Sequence, residues 1–217
     1  MKEGNFVLID FVGRIAGTNE IFDLTHEDIA KKEGIYTEKH KYEPALVIIG
    51  AKMVIPGIEE ELVRMKVGEE REFTVKPDKG FGYRSPGLVK IISMSKFLHE
   101  KINPVPGLFV TIDNRQAKVQ SVSGGRVRVD FNNPLAGKEL HYRLKTVKAI
   151  KTSQEKVKAL LNYYNIKGDI SITNDTLTIK TSKKLEPVIE KLLSETIKKW
   201  IKEIKSVICL HTDSKKA

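Results

Sequence analysis

The chain has 217 residues, a formal net charge of +10 and one cysteine, Cys209. Its length allows one or two domains, and the single cysteine excludes an intrachain disulfide and is typical of a reducing compartment. No apolar run of about 18 residues predicts a membrane span, and Asp10 within the first apolar stretch indicates a strand instead of a secretory signal. We therefore expect a cytoplasmic protein without a membrane partner. The positive charge permits anionic partners, although interleaved lysines and glutamates also suit a solvated surface.

The first part of the chain predicts three strands and a short helix. Residues 5–15 read as an apolar strand, and segment 25–34 begins with a Thr-x-x-Asp pattern that resembles a capping box for a short helix. Residues 45–49 are a continuous apolar run, which is typical of a buried strand. Residues 70–75 alternate in polarity and predict a further strand.

A second helix is predicted after a glycine-bounded turn that presents Val54 and Ile55. A Pro-Gly pair and three glutamates follow, and acidic residues suit the positive end of a helix dipole. Apolar residues then recur at i, i+4 and i+7 from Ile58, so one helix face is apolar. Gly68 is predicted to follow the end of this helix.

Residues 86–131 change character and predict a meander of short strands. Ser95 is placed to cap a short helix, and the pair Gly124-Gly125 predicts a hairpin between two alternating strands. The segment is long enough to form a small unit of its own.

Residues 152–217 predict a third unit with the order α-β-β-α-β. Thr152 begins a capping box, and residues 174–175 predict a hairpin turn. Residues 185–201 carry the clearest helical stripe in the chain. Trp200 on this stripe is either a core residue or a contact between two copies of the chain.

Four motifs, in this order, carry a resemblance to a known family: Phe22-Asp23, Val54-Ile55-Pro56-Gly57, Phe81-Gly82-Tyr83 and Leu140-His141-Tyr142-Arg143-Leu144. Over residues 1–83 and 132–150 the chain resembles the FKBP-type peptidyl-prolyl isomerases. The long insert after Tyr83 resembles the insert-in-flap domain of the SlyD-like branch. The layout with a further C-terminal domain resembles the long archaeal FKBPs.

The resemblance implies an α+β fold, with an FKBP-like antiparallel half-barrel sheet on a helix. It also implies an inserted small β-rich domain and, after the isomerase domain, the C-terminal α-β-β-α-β domain. The expected boundaries are 1–85 and 132–151 for the isomerase domain, 86–131 for an insert-in-flap chaperone domain, and 152–217 for an accessory domain. The two connections to the insert are expected to act as open hinges.

The implied activity is cis–trans exchange at X–Pro bonds of unfolded polypeptides, with no cofactor and no metal. Rotation passes through a twisted amide whose carbonyl carries less charge, so an apolar pocket favours that state without a nucleophile or a proton transfer. The sequence suits such chemistry, because its histidines are scattered and it contains no convincing catalytic triad, metal cluster or phosphate loop.

The resemblance also assigns a pocket residue by residue. The implied catalytic residues are Phe11, Asp23, Phe81 and Tyr142, and the implied substrate-binding residues are Phe22, Ala45, Val54, Ile55 and Ile58. The N–H of Ile55 is expected to hold the carbonyl before the proline. Phe81 replaces a common tyrosine and Ile58 a common tryptophan, so binding of an FK506-like macrolide is less strongly implied than isomerisation.

The insert supplies a second candidate site. Its apolar residues predict a groove for unfolded chains, with a plain insert core as the alternative; the groove set is Met94, Phe97, Leu98 and Phe109. The expected partners are unfolded or nascent polypeptides, and a macrolide ligand, a ribosome contact and a homodimer through the C-terminal domain stay open. The rival functions are a holdase or ribosome-associated binding module with weak isomerase activity, and a nucleic-acid binder with steep salt dependence.

Overall fold

A five-stranded antiparallel sheet forms the centre of the structure, a computed structural model that describes residues 1–211. Strand β1 (Phe6–Ile15) pairs along its length with β9 (Leu140–Ile150), and β4 (Glu70–Val75) lies on the far side of β9. Strands β3 (Ala45–Ile48) and β2 (Ile21–Leu24) pair with successive parts of the other edge of β1. Between β3 and β2 this edge has no strand partner.

One face of the sheet packs on helix α2 (Pro56–Arg64), as the apolar spacing from Ile58 predicts. Gly57 allows the close approach, because a Cβ there would lie 2.6 Å from Cγ1 of Val75. The prediction for Gly68 is wrong, since the helix ends at Arg64. Gly68 instead adopts a φ of +87° in the turn before β4, and its N–H donates to the carbonyl of Thr146.

The predicted capping box at the short helix is also wrong. Helix α1 (Glu27–Lys32) starts after His26, and no side chain caps it. The Thr25 hydroxyl donates to Oδ1 of Asp10 at 2.9 Å and accepts from the Phe11 N–H at 2.9 Å. The Thr25 hydroxyl, which the local sequence predicts as a helix cap, therefore makes a tertiary contact to β1 instead.

The insert is β-rich, as expected. Its sheet has the order β5-β8-β7-β6, and the elements are β5 (Val89–Ser93), α3 (Met94–His99), β6 (Phe109–Ile112), β7 (Arg115–Ser123) and β8 (Arg126–Asp130). The predicted hairpin is confirmed, because Gly124 and Gly125 both have positive φ between paired Ser123 and Arg126. The cap of α3 is Ser93, whose hydroxyl accepts from the N–H of Ser95, so Ser95 is not the cap.

A hydrogen-bonded junction joins the insert to the central sheet. The carboxylate of Asp130 is buried and accepts from Arg84, from Gln120 at 2.8 Å and from the Asn132 N–H at 2.9 Å. Across the junction, the Ser85 N–H donates to Oδ1 of Asn132 at 2.8 Å. Moving the insert away would remove donors from the buried Asp130 carboxylate, which costs free energy. The junction therefore restrains the insert more than an open hinge would.

The third unit has the predicted order α-β-β-α-β. Its elements are α4 (Ser153–Tyr163), β10 (Gly168–Thr173), β11 (Thr176–Thr181), α5 (Pro187–Trp200) and β12 (Ser206–His211). The capping box is confirmed, because the Thr152 hydroxyl accepts from the N–H of Glu155 at 3.2 Å. Strand β12 lies parallel to β11 at the sheet edge.

This third unit covers the second face of the central sheet. Phe6, Leu46, Ile48 and Ile150 of the sheet are buried in one cluster with Leu160 and Ile197 of helices α4 and α5. Trp200 packs half-buried against the same cluster, as the core alternative predicts. The central sheet is thus apolar on both faces. Among the described residues, no helix is both long and apolar enough to span a membrane.

Candidate active site

Five aromatic rings converge on the face of the central sheet that packs on α2. Tyr142 lies at their centre, 6.2 Å from Phe11, 5.7 Å from Phe22 and 6.0 Å from Phe73 between ring centroids. Phe22 also meets Phe81 edge-on at 6.4 Å. Edge-on and offset contacts at this spacing are favourable beyond the apolar area they bury. The structure therefore brings together all four aromatic residues that the sequence assigned to the pocket.

Strand register explains how the rings meet. Tyr142 of β9 pairs with Gly13 of β1 on one side and with Phe73 of β4 on the other, and Gly13 pairs with Asp23 of β2. Sequence reasoning missed Phe73, which belongs to the alternating strand 70–75. Its apolar position in that alternation was the available signal.

Gly13 leaves room for two of the rings. A Cβ at this position would lie 2.7 Å from Phe22 and 3.0 Å from Tyr142. Both distances are shorter than ordinary contacts, so the rings need this glycine to lean over β1.

We expect Gly13→Ala to push Phe22 and Tyr142 apart while β1 stays paired. A short prolyl peptide should then bind several-fold more weakly, and the melting temperature should fall only slightly because the ring edges can shift. Gly17→Ala is the matched control, since nothing lies within 4 Å of its Cβ position. Equal peptide binding by both variants would contradict this packing argument.

A backbone donor lies next to the same cluster, in the turn before α2. Ile55 is the residue before the helix, and Val54, Ile55 and the rings belong to one apolar cluster. Within residues 1–211, no backbone carbonyl accepts a hydrogen bond from the Ile55 N–H. Ile58 is buried beneath this turn, as a pocket floor requires, and Ala45 packs on the cluster from β3. An unpaired amide beside apolar walls can hold a ligand carbonyl.

Two polar groups with shifted pKa values border the rings. Burial raises the pKa of Asp23, although part of its side chain reaches solvent, and His40 and a backbone hydrogen bond at Leu24 oppose the rise. Burial also raises the pKa of Tyr142, and the charge of Asp23 raises it further. The phenol therefore stays protonated at neutral pH and remains a donor, whereas Phe11 and Phe81 offer none.

The insert residues predicted as a groove fall into two groups. Phe97 is only 2% exposed and belongs to the core of the insert, so its prediction as a substrate contact is wrong in this structure. Met94 is half-buried against the same core. Leu98 is 65% exposed and Phe109 is 47% exposed. Ile91, 68% exposed on β5, was missed, and the adjacent apolar residue Ile92 gives the sequence no alternation that would single it out.

A large cavity adjoins the aromatic cluster. It has a volume of about 820 Å³ and touches Phe11, Asp23 and Ala45 before it continues to helix α4 of the third unit. The other predicted pocket residues do not line it. Within residues 1–211, no group of three or more His, Cys, Asp or Glu side chains is arranged to hold a metal ion.

Two family models match the chain between residues 1 and 135. A family model described as FKBP-type peptidyl-prolyl cis-trans isomerase matches residues 1–99, and one described as FKBP26, IF domain, matches residues 90–135. A short-type peptidyl-prolyl cis-trans isomerase of Methanocaldococcus jannaschii is 34% identical over 145 residues, which is 67% of this chain and 91% of the relative.

Two bacterial relatives match similarly. The FKBP-type 16 kDa peptidyl-prolyl cis-trans isomerase of Escherichia coli K12 is 30% identical over 131 residues, 57% of this chain and 87% of the relative. The FKBP-type peptidyl-prolyl cis-trans isomerase SlyD of Helicobacter pylori J99 is 31% identical over 157 residues, 70% of this chain and 76% of the relative.

Proposed function

This chain belongs to the family of FKBP-type peptidyl-prolyl cis-trans isomerases, and we propose that it catalyses isomerisation of X–Pro bonds in the aromatic pocket of its central sheet. The observation that carries the proposal is the convergence of Phe11, Phe22, Phe81 and Tyr142 beside the Ile55 N–H, which has no hydrogen-bond acceptor in the part of the chain that the structure describes. The reaction needs no cofactor, because rotation about the amide breaks no covalent bond.

The pocket lowers the barrier because it solvates the carbonyl of the planar amide less well than water does. Water solvates the charged carbonyl of the planar X–Pro bond well, and apolar rings solvate it poorly. The twisted amide loses conjugation and charge, so the same rings disfavour it less. In this proposal Ile55 holds the carbonyl before the proline, Ile58 forms the floor, and the proline ring packs among Phe22, Phe81 and Tyr142.

Asp23 supplies a carboxylate next to this apolar wall. Its carboxylate is proposed to orient the Tyr142 hydroxyl and to place negative charge near the twisted amide. Since neither group transfers a proton, the rate should vary little between about pH 6 and pH 8. Protonation of Asp23 should lower the rate only in acid, at a pH above the usual aspartate range because its pKa is raised.

We expect Asp23→Asn to lower kcat/KM on a short prolyl peptide about tenfold, equivalent to about 1.4 kcal/mol of transition-state stabilisation. The same variant should be more stable than the native chain at pH 7, because ionising an aspartate with a raised pKa opposes folding. This gain should vanish below pH about 4, where aspartate is protonated in the folded and unfolded states alike. Chymotrypsin-coupled peptide assays and melting curves at both pH values measure the two effects. Full activity in Asp23→Asn would mean that the site is misplaced.

We further propose that the insert, with boundaries near 86 and 131, holds unfolded polypeptides beside the pocket. Five apolar side chains are exposed on it, namely Ile91, Leu98, Val105, Leu108 and Phe109. So many exposed apolar side chains on one small unit favour an interaction surface. The same surface supports the alternative function, a holdase with weak isomerase activity, and catalysis of refolding at sub-stoichiometric amounts decides between the two.

A homodimer through the C-terminal domain is proposed on its exposed apolar side chains. Val188 and Leu192 lie one turn apart on α5, and Ile208 and Leu210 lie on the edge strand β12. Light scattering of the full chain and of Leu192→Ser tests this surface. A ribosome contact and binding of a macrolide stay hypotheses, to be decided by co-sedimentation over a salt series and by titration with an FK506-like compound.

A further inference from the structure

The cavity beside Asp23 belongs to two domains. One wall is the exposed segment 33–44 between α1 and β3, and the other is the face of α4 that carries Lys158, Asn162 and Tyr163. It opens where β2 and β3 leave the edge of β1 without a strand partner. The C-terminal domain therefore forms a wall of a space that begins at the candidate active site.

Specific contacts hold the segment 33–44 in place. The rings of Tyr36 and Tyr42 stack at 5.4 Å, His40 meets Tyr42 edge-on at 4.7 Å, and the His40 Nε2 lies 3.0 Å from the carbonyl of Leu24. Across the cavity, the Lys41 Nζ donates to Oδ1 of Asn165 at 3.0 Å. This wall is thus built against both domains.

The lining combines an apolar floor with a basic rim. The floor includes Leu8, Pro44 and Ile150, and Tyr163 is 53% exposed at the α4 side. Four lysines and three acids line the cavity, and Lys148 is paired with Glu155 at 2.8 Å. Lys39 and Lys158 make no ion pair within residues 1–211, while Glu43 and Asp23 supply the opposing charge. A small positive surplus remains at the rim.

We propose that this cleft binds the stretch of polypeptide that flanks the prolyl bond, with an apolar side chain on the Pro44–Tyr163 floor and a carboxylate near Lys158. The inference rests on the proposed isomerase function. The pocket and the cleft are continuous, because Phe11, Asp23 and Ala45 border both of them. This continuity is the reason for assigning the flanking polypeptide as the occupant. A chain held at its proline in the pocket would be led by this opening into the cleft. The C-terminal domain then contributes directly to substrate selection.

The test compares a four-residue prolyl peptide with longer peptides. One kind of longer peptide has six additional residues before the proline, and the other kind has six additional residues after it. Each extension is made with a leucine beside either a glutamate or a lysine. In the full chain, we expect Tyr163→Ala to lower kcat/KM three- to tenfold on one of the extended peptides, through KM, and less than twofold on the short one. Lys158→Glu should remove a preference of about threefold for glutamate over lysine. Lys167→Glu, an exposed lysine of the same domain that does not line the cleft, is the charge-matched control.

An unchanged ratio of extended to short peptide in both variants, for both flanks, would overturn the proposal. So would an equal loss on the short peptide, because the residues would then act on the pocket itself. If the native chain isomerises no peptide, the proposed function fails separately. The cleft is then tested by fluorescence anisotropy, in which the labelled extended peptide must bind the native chain more tightly than Tyr163→Ala.

Discussion

A chain ending at residue 151 is expected to lose most of its stability and to aggregate. Removal of the third unit would expose Phe6, Leu46, Ile48 and Ile150 on the outer face of the central sheet. Each such side chain contributes about 1.5–3 kcal/mol when buried, so the four together account for about 6–12 kcal/mol. This is comparable with the total stability of a typical domain, about 5–15 kcal/mol. Although the sequence suggested an accessory domain, its packing predicts a structural one.

A rescue experiment separates this cause from a general effect of truncation. Threonine in place of these four side chains keeps strand propensity and removes the exposed apolar surface. We expect the substitutions to restore solubility and a cooperative melting transition to the truncated chain, and to destabilise the full-length chain. Thermal melting and size-exclusion chromatography report both results. A soluble native-sequence fragment with an unchanged melting temperature would contradict the argument.

The pocket could be predicted from the sequence because short motifs fix it at the ends of regular elements. Phe22-Asp23 lies within the four-residue strand β2, Val54-Ile55 precedes α2, and the register of β9 places Tyr142 opposite Gly13. Because the family fold arranges these elements in a fixed way, motifs in this order along the chain are expected to lie close together in the structure. Phe73 escaped notice because it belongs to no motif and enters the pocket only by pairing with Tyr142.

Other features depend on competition between local and tertiary contacts. Phe97 and Leu98 are neighbours on a helix of six residues, and only packing decides which one is buried. Thr25 has a capping pattern, yet Asp10 receives its hydroxyl. The run Phe6–Ile9 is apolar at every position, which indicates burial on both faces of a strand. The identity of the element that covers the second face does not follow from that run.

Replacing residues 86–131 is expected to separate two activities. The structure shows where to join the chain, because Ser85 and Asn132 already face each other, with the Asn132 Nδ2 donating to the Ser85 carbonyl at 3.0 Å. A short glycine linker can therefore close the gap without moving β4 or β9. We expect kcat/KM on a four-residue prolyl peptide to stay within about twofold, since the aromatic pocket lies outside the insert. Catalysis of a proline-limited protein refolding reaction should fall about tenfold or more, because a second grip raises the local concentration of an unfolded chain at the pocket.

Point substitutions then test which surface provides that grip. Leu98→Ser and Phe109→Ser in the full chain alter exposed side chains and leave the insert core around Phe97 intact. The double variant should reproduce most of the refolding defect, whereas Glu100→Ser, an exposed polar residue next to α3, should not. Asp130→Ala removes the buried acceptor at the junction and should lower the refolding rate while Leu98 and Phe109 are unchanged, since a loosened insert holds its client farther from the pocket. An unchanged ratio of refolding to peptide activity after insert replacement would mean that the insert serves packing alone, and that polypeptides reach the pocket without its help.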